Sequence, residues 1–391
     1  MRRLRLVVLS SHPIQYYAPL FRELATKFDL HVFFAHMASQ DEQASAGFGV
    51  AFDWDVDLLS GYSNSFLTNV SERPGTNHFS GCDTPEVFQL LQKEKPDVLL
   101  VMGWHLKSFL QGVFAAKRLG IPVMVRGDSH LQTQRSAVKI WAKAILYPPF
   151  LSLFDAALYV GQRSKAYYNH YRYPASRLFF SPHCIDNDWF ANRATTDEGT
   201  RLRNAQGIAN GVTVLLFAGK LLPFKRPLDL ISAAILCRQA RTRIEVMVVG
   251  DGELRSEIVH YAATNGIALH MLGFRNQSEM PAAYAASDML VLPSDGRESW
   301  GLVANEALAC GKPIVVSSAC GCAPDLAEDQ SAGQVFPIGD AGQMVHAIDL
   351  VIKNPPSKAS IGDKSSAYSI TAAVDGISRA AEFCVGNKSW P

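Results

Sequence analysis

The chain alternates short apolar runs with longer segments that carry apolar residues at helical spacing. The short runs are apolar at successive positions, which is typical of strands buried on both faces of a parallel sheet. One series reads RLVVLSS, DLHVFFAH, DVLLVMGW, IPVMVRGD, AALYVGQ and RLFFSPH, and a second reads VTVLLFAGK, IEVMVVGDG, IALHMLGF, DMLVLPS and KPIVVSS. Helix-like segments such as PLDLISAAILCRQA connect them as crossovers. The pattern predicts an α/β protein with two Rossmann-like, doubly wound parallel-sheet domains.

A polar stretch separates the two series of strands. Residues 192–211 read NRATTDEGTRLRNAQGIANG, which is rich in Gly and Asn and shows no strand character. We therefore predict an N-terminal domain over 1–191, a linker over 192–211 and a C-terminal domain over 212–391 that ends in an amphipathic helix. The length of 391 residues suits two cores of about 150–200 residues each.

Composition narrows the classes of function. A hydrophobic content of 48% and a charged content of 19% describe an ordinary globular chain, and a net charge of +1 gives no field that favours nucleic acid. The seven cysteines are odd in number and scattered, which indicates reduced thiols and a cytoplasmic location. The initial apolar run Leu6–Leu9 is too short for a signal peptide, and we expect no membrane-spanning segment.

Candidate binding residues follow the strands of the second series, because ligands of open parallel sheets bind outside the carboxyl ends of the strands. The segment FAGKLLPFKRP leaves a strand with Lys220, Lys225 and Arg226 around a turn. A diphosphate requires cations and hydrogen-bond donors of this kind. The same residues are also consistent with a solvated basic loop.

In ESWGLVANEALACG, Glu298 precedes a turn and a predicted helix, and Glu306 lies inside that helix. Eight helical residues span about 12 Å, so Glu298 and Glu306 suit the two ends of an elongated ligand rather than one small group. A phosphate between them would meet the N–H groups near Gly301 and Leu302. Hydroxyls at both ends and a diphosphate in the middle describe a nucleotide sugar. The alternative is that Glu298 complements the helix dipole and that Glu306 is a surface charge.

Several motifs occur together in the order and spacing of one enzyme family. These are GKLLPFKRPLDLI, VVGDGELRSEI, HMLGFRNQSEMPAAYAASDMLVLPS, ESWGLVANEALACGKPIVVS and GQVFPIGD. They resemble family 4 retaining glycosyltransferases over most of residues 212–350. SPHCIDNDWF resembles the segment that ends the family's first domain, and SHPIQYYAPLFREL resembles the opening of a bacterial subgroup. The resemblance implies the GT-B fold, in which two Rossmann-like domains face a cleft.

The resemblance also implies an activity. These enzymes transfer a sugar from a nucleotide-diphosphate donor to a saccharide or lipid-linked saccharide, and the subgroup suggests O-antigen or exopolysaccharide biosynthesis. They need no metal and no further cofactor. Lys220, which stands where the family usually has arginine, and Lys225 would hold the donor diphosphate. Glu298 would bond hydroxyls of the transferred sugar, and Glu306 would bond the ribose hydroxyls.

Further roles follow from the same resemblance. Phe274 and Arg275 would flank the base. Backbone donors around the phosphates and the sugar would come from Ser299, Trp300, Gly301 and Leu302. Two segments depart from the usual pattern: CGCAPDL replaces the commoner Gly-Gly-x-x-Glu loop, and SSHPIQ lacks the paired glycines frequent in the first domain.

Residues of the first domain are candidates for the acceptor side. The segment VMVRGDSH ends a strand and contributes Asp128 and His130, and His12 follows the first strand. The leaving phosphate can itself take the acceptor's proton, so the reaction does not require a dedicated protein base. Each of these side chains is also consistent with a purely structural role.

Two patterns suggest metals, and neither is specific. DWDVD contains the D-x-D pattern of metal-dependent glycosyltransferases of another fold, but its alternation of Asp53, Asp55 and Asp57 with apolar residues favours a strand with one wet face. The CGC pair lacks partners at zinc-ligand spacing. We expect no metal site.

The stretch 135–177 combines basic residues with aromatic residues. Its basic residues are Arg135, Lys139, Lys143, Arg163, Lys165, Arg172 and Arg177, and its interleaved aromatics include Trp141, Tyr147, Phe150 and Phe154. Such a face suits binding to anionic lipid, in which each basic residue contributes about 1 kcal/mol to the binding free energy. A membrane-bound enzyme would be well placed for a lipid-linked acceptor. Alternatively, the aromatic residues belong to the hydrophobic core and the basic residues form a solvated rim.

Two other functions fit the same residues. One is nucleotide-sugar epimerisation or phosphorolysis on the same fold, and the other is a non-catalytic nucleotide-sugar-binding subunit. The retention of Lys220, Lys225, Glu298 and Glu306 together favours sugar transfer.

Overall fold

The computed structural model describes residues 2–39, 52–132, 136–240 and 242–386. They form two compact α/β units, each with its own sheet. The described residues of the first unit fall within 1–39, 57–183 and 370–391, and those of the second within 52–56 and 184–369. None of the helices in the described ranges has the length and apolar character needed to cross a bilayer.

The sheet of the first unit has seven parallel strands among the described residues. These are β1 (Arg5–Ser10), β2 (Asp29–Phe34), β3 (Ser63–Phe66), β4 (Val98–Val101), β5 (Val123–Gly127), β6 (Ala156–Tyr159) and β7 (Leu178–Phe180). Their order in the sheet is β3-β2-β1-β4-β5-β6-β7. The helices of this unit before residue 184 are α1 (Tyr17–Lys27), α2 (Val87–Glu94), α3 (Lys107–Arg118), α4 (Ala137–Leu151) and α5 (Gln162–His170).

The sheet of the second unit has six strands in the described part of the chain. These are β8 (Thr213–Ala218), β9 (Ile244–Val249), β10 (Leu269–Gly273), β11 (Met289–Leu292), β12 (Ile314–Ser317) and β13 (Gly333–Phe336), in the order β10-β9-β8-β11-β12-β13. The helices are α6 (Asn187–Arg193), α7 (Thr196–Ala205), α8 (Pro227–Gln239), α9 (Arg255–Thr264), α10 (Met280–Ala286), α11 (Val303–Ala309), α12 (Ala323–Leu326), α13 (Ala341–Lys353) and α14 (Lys358–Ala367). The last helix of the chain is α15 (Ile370–Gly386).

The apolar runs of the sequence form eleven of the thirteen described strands, including every central strand, so the predicted doubly wound α/β class is confirmed. Leu6 to Leu9 of β1 have no exposed area, and every residue of β11 and β12 in the second sheet is buried. In each sheet the chain order reverses beside the first strand, between β1 and β4 and between β8 and β11. The carboxyl ends of these strands border the crevice where doubly wound sheets bind ligands.

Two segments differ from the predicted domain boundaries. Residues 192–211, predicted as a linker, belong to the second unit and contain α7. The Thr195 hydroxyl accepts the Glu198 N–H at 3.3 Å and begins this helix, a T-x-x-E capping signal that the polar composition conceals. Arg203 then pairs with Asp288 at 2.7 Å, which ties α7 to the second unit.

The C-terminal helix α15 belongs to the first unit, although the sequence assigns 212–391 to one domain. The Ser181 hydroxyl donates to the Ala373 carbonyl at 3.0 Å, and the rings of Phe179 and Phe383 lie 5.5 Å apart. Sequence order suggests that a terminal helix stays with its nearest neighbours, whereas packing of the apolar face decides where it binds.

Candidate active-site residues

The basic loop after β8 is brought against the glutamate loop after β11. The chain leaves β8 through Gly219 and one 3-10 turn over Pro223–Lys225. The Lys225 ammonium forms an ion pair with the Glu298 carboxylate, and the two side chains are 14% and 13% exposed. The Ser294 hydroxyl also lies 3.3 Å from the same carboxylate oxygen.

Lys220 belongs to the same group of charges. Burial of its ammonium and the neighbouring Lys225 lower the pKa of Lys220, and Glu298 opposes that shift. Arg226 is engaged elsewhere, because its guanidinium pairs with Asp229 of α8 at 2.7 Å. The structure therefore places two lysines and one carboxylate together at the carboxyl edge of the second sheet.

The loop Ser299–Leu302 is held from both sides. The Trp300 indole N–H donates to the Asn305 side chain at 2.8 Å, and Gly301 has a φ of +98°, which a residue with a side chain rarely adopts. The loop that contains the CGC motif packs behind it. The Gly321 N–H donates to the Glu298 carbonyl, and the Cys322 N–H donates to the Trp300 carbonyl, both at 3.0 Å. This bracing fixes the backbone beside Glu298.

Glu306 lies inside α11 and is only 3% exposed. The buried Tyr284 hydroxyl donates to its carboxylate at 2.6 Å. Glu306 is therefore not the surface charge that the sequence allows as an alternative. A buried carboxylate with a phenolic partner is held in a defined orientation.

Phe274 and Arg275 follow β10, as predicted, and contact residues far away in the sequence. The rings of Phe274 and Phe52 lie 4.4 Å apart, and Arg275 pairs with Glu279. The Asn276 amide donates to the Asp53 carbonyl at 2.7 Å. Sequence analysis does not select Phe52, because its contact with Phe274 joins two segments that lie far apart in the chain.

The carboxylates of the D-x-D pattern make ordinary hydrogen bonds. Asp55 accepts the Ser278 N–H at 3.2 Å, and Asp57 accepts the N–H groups of Leu59 and Ser60 at 3.0 and 3.1 Å. The ranges that the structure describes contain no group of three or more His, Cys, Asp or Glu side chains placed to hold a metal.

The first unit contains a cavity of about 300 Å³ at the carboxyl ends of β1, β4 and β5. The predicted residues His12 and Asp128 line it, whereas His130 is not among the described residues that do so. The Asp128 carboxylate lies 3.9 Å from Nε2 of His183. Burial lowers the pKa of His183, and Asp128 opposes this shift.

Three further residues of the cavity wall are missed by sequence analysis. Burial lowers the pKa of His105, again opposed by Asp128. Arg126 is 2% exposed, and its Nε donates to the Ser181 carbonyl and hydroxyl at 3.3 and 3.1 Å. Arg126, His105 and His183 all stand at or just beyond the ends of strands, so the strand-end rule that selects Asp128 also applies to them.

The stretch 135–177 divides into an inner and an outer set. The aromatic rings of Tyr147, Phe150 and Phe154 form inward contacts around Trp104 and Tyr167. Helix α4 presents a different set outward, with exposures of 53–76%: Val138, Ile140, Trp141, Ile145 and Leu146. Arg135 lies outside the described residues.

Comparison with known proteins agrees with this geometry. Residues 199–367 match the family model "Glycosyl transferases group 1". This region, which is less than half of the chain, is similar to the group 1 glycosyltransferases. This match contains Lys220, Lys225, Phe274, Glu298 and Glu306.

The chain is also similar to two curated enzymes. The chain is 31% identical over 181 residues to the lipopolysaccharide 1,2-N-acetylglucosaminetransferase of Salmonella typhimurium, covering 44% of the chain and 46% of the relative. It is 29% identical over 219 residues to a D-inositol 3-phosphate glycosyltransferase of Pseudarthrobacter chlorophenolicus, covering 53% and 50%. The chain thus spans about half the length of these curated relatives.

Solved structures extend the likeness over the whole chain. Anabaena Alr3699/HepE in complex with UDP and glucose has a TM-score of 0.69 at 17% identity, covering 96% of this chain and 98% of that one. WaaG, a glycosyltransferase involved in lipopolysaccharide biosynthesis, has a TM-score of 0.63 at 17% identity, covering 98% and 100%. These likenesses show the fold, and the predicted GT-B fold is confirmed.

Proposed function

We propose that the protein is a retaining, metal-independent glycosyltransferase that moves a sugar from a nucleotide-diphosphate donor to a saccharide or lipid-linked saccharide. The observation that carries this proposal is the partly buried Lys225–Glu298 ion pair, with Lys220 beside it, inside a group 1 glycosyltransferase domain. Two cations and one carboxylate at the carboxyl edge of a parallel sheet match a diphosphate joined to a hydroxyl-rich group.

The second unit would bind the donor. Lys220 and Lys225 would hold the diphosphate, and Glu298, released from Lys225, would accept hydrogen bonds from hydroxyls of the transferred sugar. Tyr284 would hold Glu306 in position for the ribose hydroxyls. UDP-sugars are the first donors to test, because UDP is bound in the structurally similar Anabaena protein.

The remaining donor contacts would come from the loops on either side. Phe274 and Arg275 would flank the base. The backbone of Ser299–Leu302 would donate to the phosphates and the sugar.

Transfer would break the bond between the anomeric carbon and the diphosphate oxygen, which leaves with the electron pair. The two lysines would stabilise the charge that develops on this oxygen. The acceptor hydroxyl would form the new bond on the same face of the sugar, and its proton would pass to the departing phosphate. No protein base is needed in this step.

The first unit would bind the acceptor at its cavity. Asp128 and His12 line that cavity, and a carboxylate there can accept hydrogen bonds from sugar hydroxyls. His130, two residues beyond Asp128, is proposed from its position after β5. The acceptor class follows from the relatives, which include a lipopolysaccharide enzyme.

We further propose that the enzyme acts in O-antigen or exopolysaccharide biosynthesis at the inner face of the cytoplasmic membrane. The outward residues of α4 support this location, since Trp141 is 69% and Leu146 64% exposed beside the exposed Lys139. Sedimentation with vesicles should show more protein bound to anionic than to neutral lipid, and Trp141→Ser should reduce binding to both. Equal pelleting with both lipids would remove the electrostatic contribution.

A thermal-shift screen across nucleotide sugars tests the donor site, because a ligand that binds only the native state raises the melting temperature. The stabilising donor should lose its effect on Lys225→Ala. Incubation of that donor alone separates the alternatives, since an epimerase converts it fully, whereas a transferase hydrolyses it slowly. Absence of both stabilisation and hydrolysis with every nucleotide sugar would contradict the proposal.

A further inference from the structure

Arg126 is a buried cation on the wall of the first-unit cavity. Its side chain is 2% exposed and comes from the end of β5. Nε donates to Ser181, and Nη2 donates to the Pro182 carbonyl at 2.5 Å. The guanidinium also lies 5.9 Å from the centre of the Tyr17 ring. These partners are all neutral, and within the described residues Arg126 forms no ion pair.

A buried guanidinium without a carboxylate is costly, because desolvation of a charge is offset only by a counter-charge or by a full set of acceptors. Arginine has five N–H donors, and those of Nη1 have no acceptor within the described part of the chain. The side chain lines an open cavity. An acceptor in that cavity is therefore what would complete its hydrogen bonding.

Arg126 supplies the permanent positive charge of this cavity. The described lining residues include no lysine and no second arginine. Burial holds the pKa of His105 and His183 below its ordinary value, so these rings are neutral at neutral pH. The acidic lining residue Asp128 is 45% exposed at its side chain and faces His183.

We propose that this cavity selects an acidic saccharide, with an anionic oxygen group on Arg126 and sugar hydroxyls on Asp128. The planar guanidinium suits two oxygens of a carboxylate or a phosphate. Trp104 and Tyr17 provide aromatic wall for the apolar faces of a sugar ring. The inference rests on the proposed function in taking this cavity as the acceptor site. It adds that the acceptor carries a uronic acid or a phosphate.

The test compares three probes by ligand-observed NMR or calorimetry: methyl β-glucuronide with a carboxylate, glucose 1-phosphate with a phosphate, and neutral methyl β-glucoside. We expect at least one anionic probe to bind about tenfold more tightly than the neutral probe, equivalent to about 1.4 kcal/mol. Arg126→Gln should abolish this preference, and Arg126→Lys should retain part of it. Arg177→Gln, an exposed arginine outside the cavity, is the matched control.

The phosphate probe is also measured in Lys225→Met, so that binding to the second unit is not mistaken for binding at Arg126. A preference for glucuronide alone identifies a uronic acid acceptor, and a preference for the phosphate alone identifies a phosphorylated one. Equal binding of all three probes by the unmodified protein overturns the inference, even where the Arg126→Gln variant does not fold. An anionic preference that survives in folded Arg126→Gln overturns it as well.

Donor binding is titrated separately with the nucleotide sugar. Loss of donor binding with the anionic preference intact counts against the proposed function and not against this site.

Discussion

Lys225 and Glu298 stand 73 residues apart in the chain and form an ion pair that is mostly shielded from water. The pair joins the loop after β8 to the loop before α11. Without a ligand, each residue neutralises the other and limits the cost of its burial. A bound donor would replace this ion pair with two contacts, one between Lys225 and a phosphate and one between Glu298 and the sugar hydroxyls. In the proposed site the pair would therefore hold both side chains in place before the donor binds.

Removal of either partner should impair turnover. We expect Lys225→Ala and Glu298→Ala each to lower kcat/KM by at least about tenfold, or about 1.4 kcal/mol of transition-state stabilisation. Steady-state kinetics on purified, folded variants measure this effect. Lys353→Ala is the control, because it removes an exposed lysine, also ion-paired to a carboxylate, that is remote from the site. Rates near normal for the Glu298 variant would contradict its assignment.

Loss of the Tyr284 hydroxyl should destabilise the second unit. Tyr284→Phe leaves the buried Glu306 carboxylate without its 2.6 Å donor, and a hydrogen bond to a charged group contributes about 1.5–3 kcal/mol. Calorimetry should show a fall of several degrees in melting temperature and weaker donor binding. Tyr168→Phe is the matched control, because that buried hydroxyl has no hydrogen-bond partner in the described residues. Its removal should cost little.

Gly321 should not tolerate a side chain. A Cβ at this position would lie 1.9 Å from the Ser299 carbonyl oxygen, which is backbone and has no room to move aside. Gly321→Ala should therefore lower both melting temperature and activity by displacing the Glu298 loop. Gly362→Ala, at an exposed position inside α14 with open space around its Cβ, should instead stabilise by about 0.5–1 kcal/mol. Equal behaviour of both variants would refute the bracing role.

Stability of the first unit should fall in mild acid. Burial lowers the pKa of His183 below its usual 6.5, so between the native pKa and 6.5 the unfolded chain binds more protons than the native one. The stabilisation is fully present above 6.5 and declines as pH falls below that value. His183→Gln should therefore show a smaller loss of melting temperature between about pH 7.5 and about pH 5.5. His260→Gln, at an exposed helical position, is the control.

The sequence predicts the strands well where both faces are buried. Every apolar run quoted above contains a strand, because continuous burial leaves a continuous apolar signal. The edge strands β3 (Ser63–Phe66) and β13 (Gly333–Phe336) are missed, since each has only four residues and pairs on one side only. Helix α7 is missed because its composition is polar and only its cap signals a helix.

Sequence alone determined the α/β class, the two sheets and the residues that stand at the carboxyl ends of their strands, because periodicity and strand order are local properties. Tertiary structure decided which of those residues meet. It joined Lys225 to Glu298, buried Glu306 under Tyr284 and placed α15 in the first unit. It also put Arg126 on a cavity wall with no counter-ion among the described residues. These contacts form between distant segments and depend on packing, which no local pattern in the chain encodes.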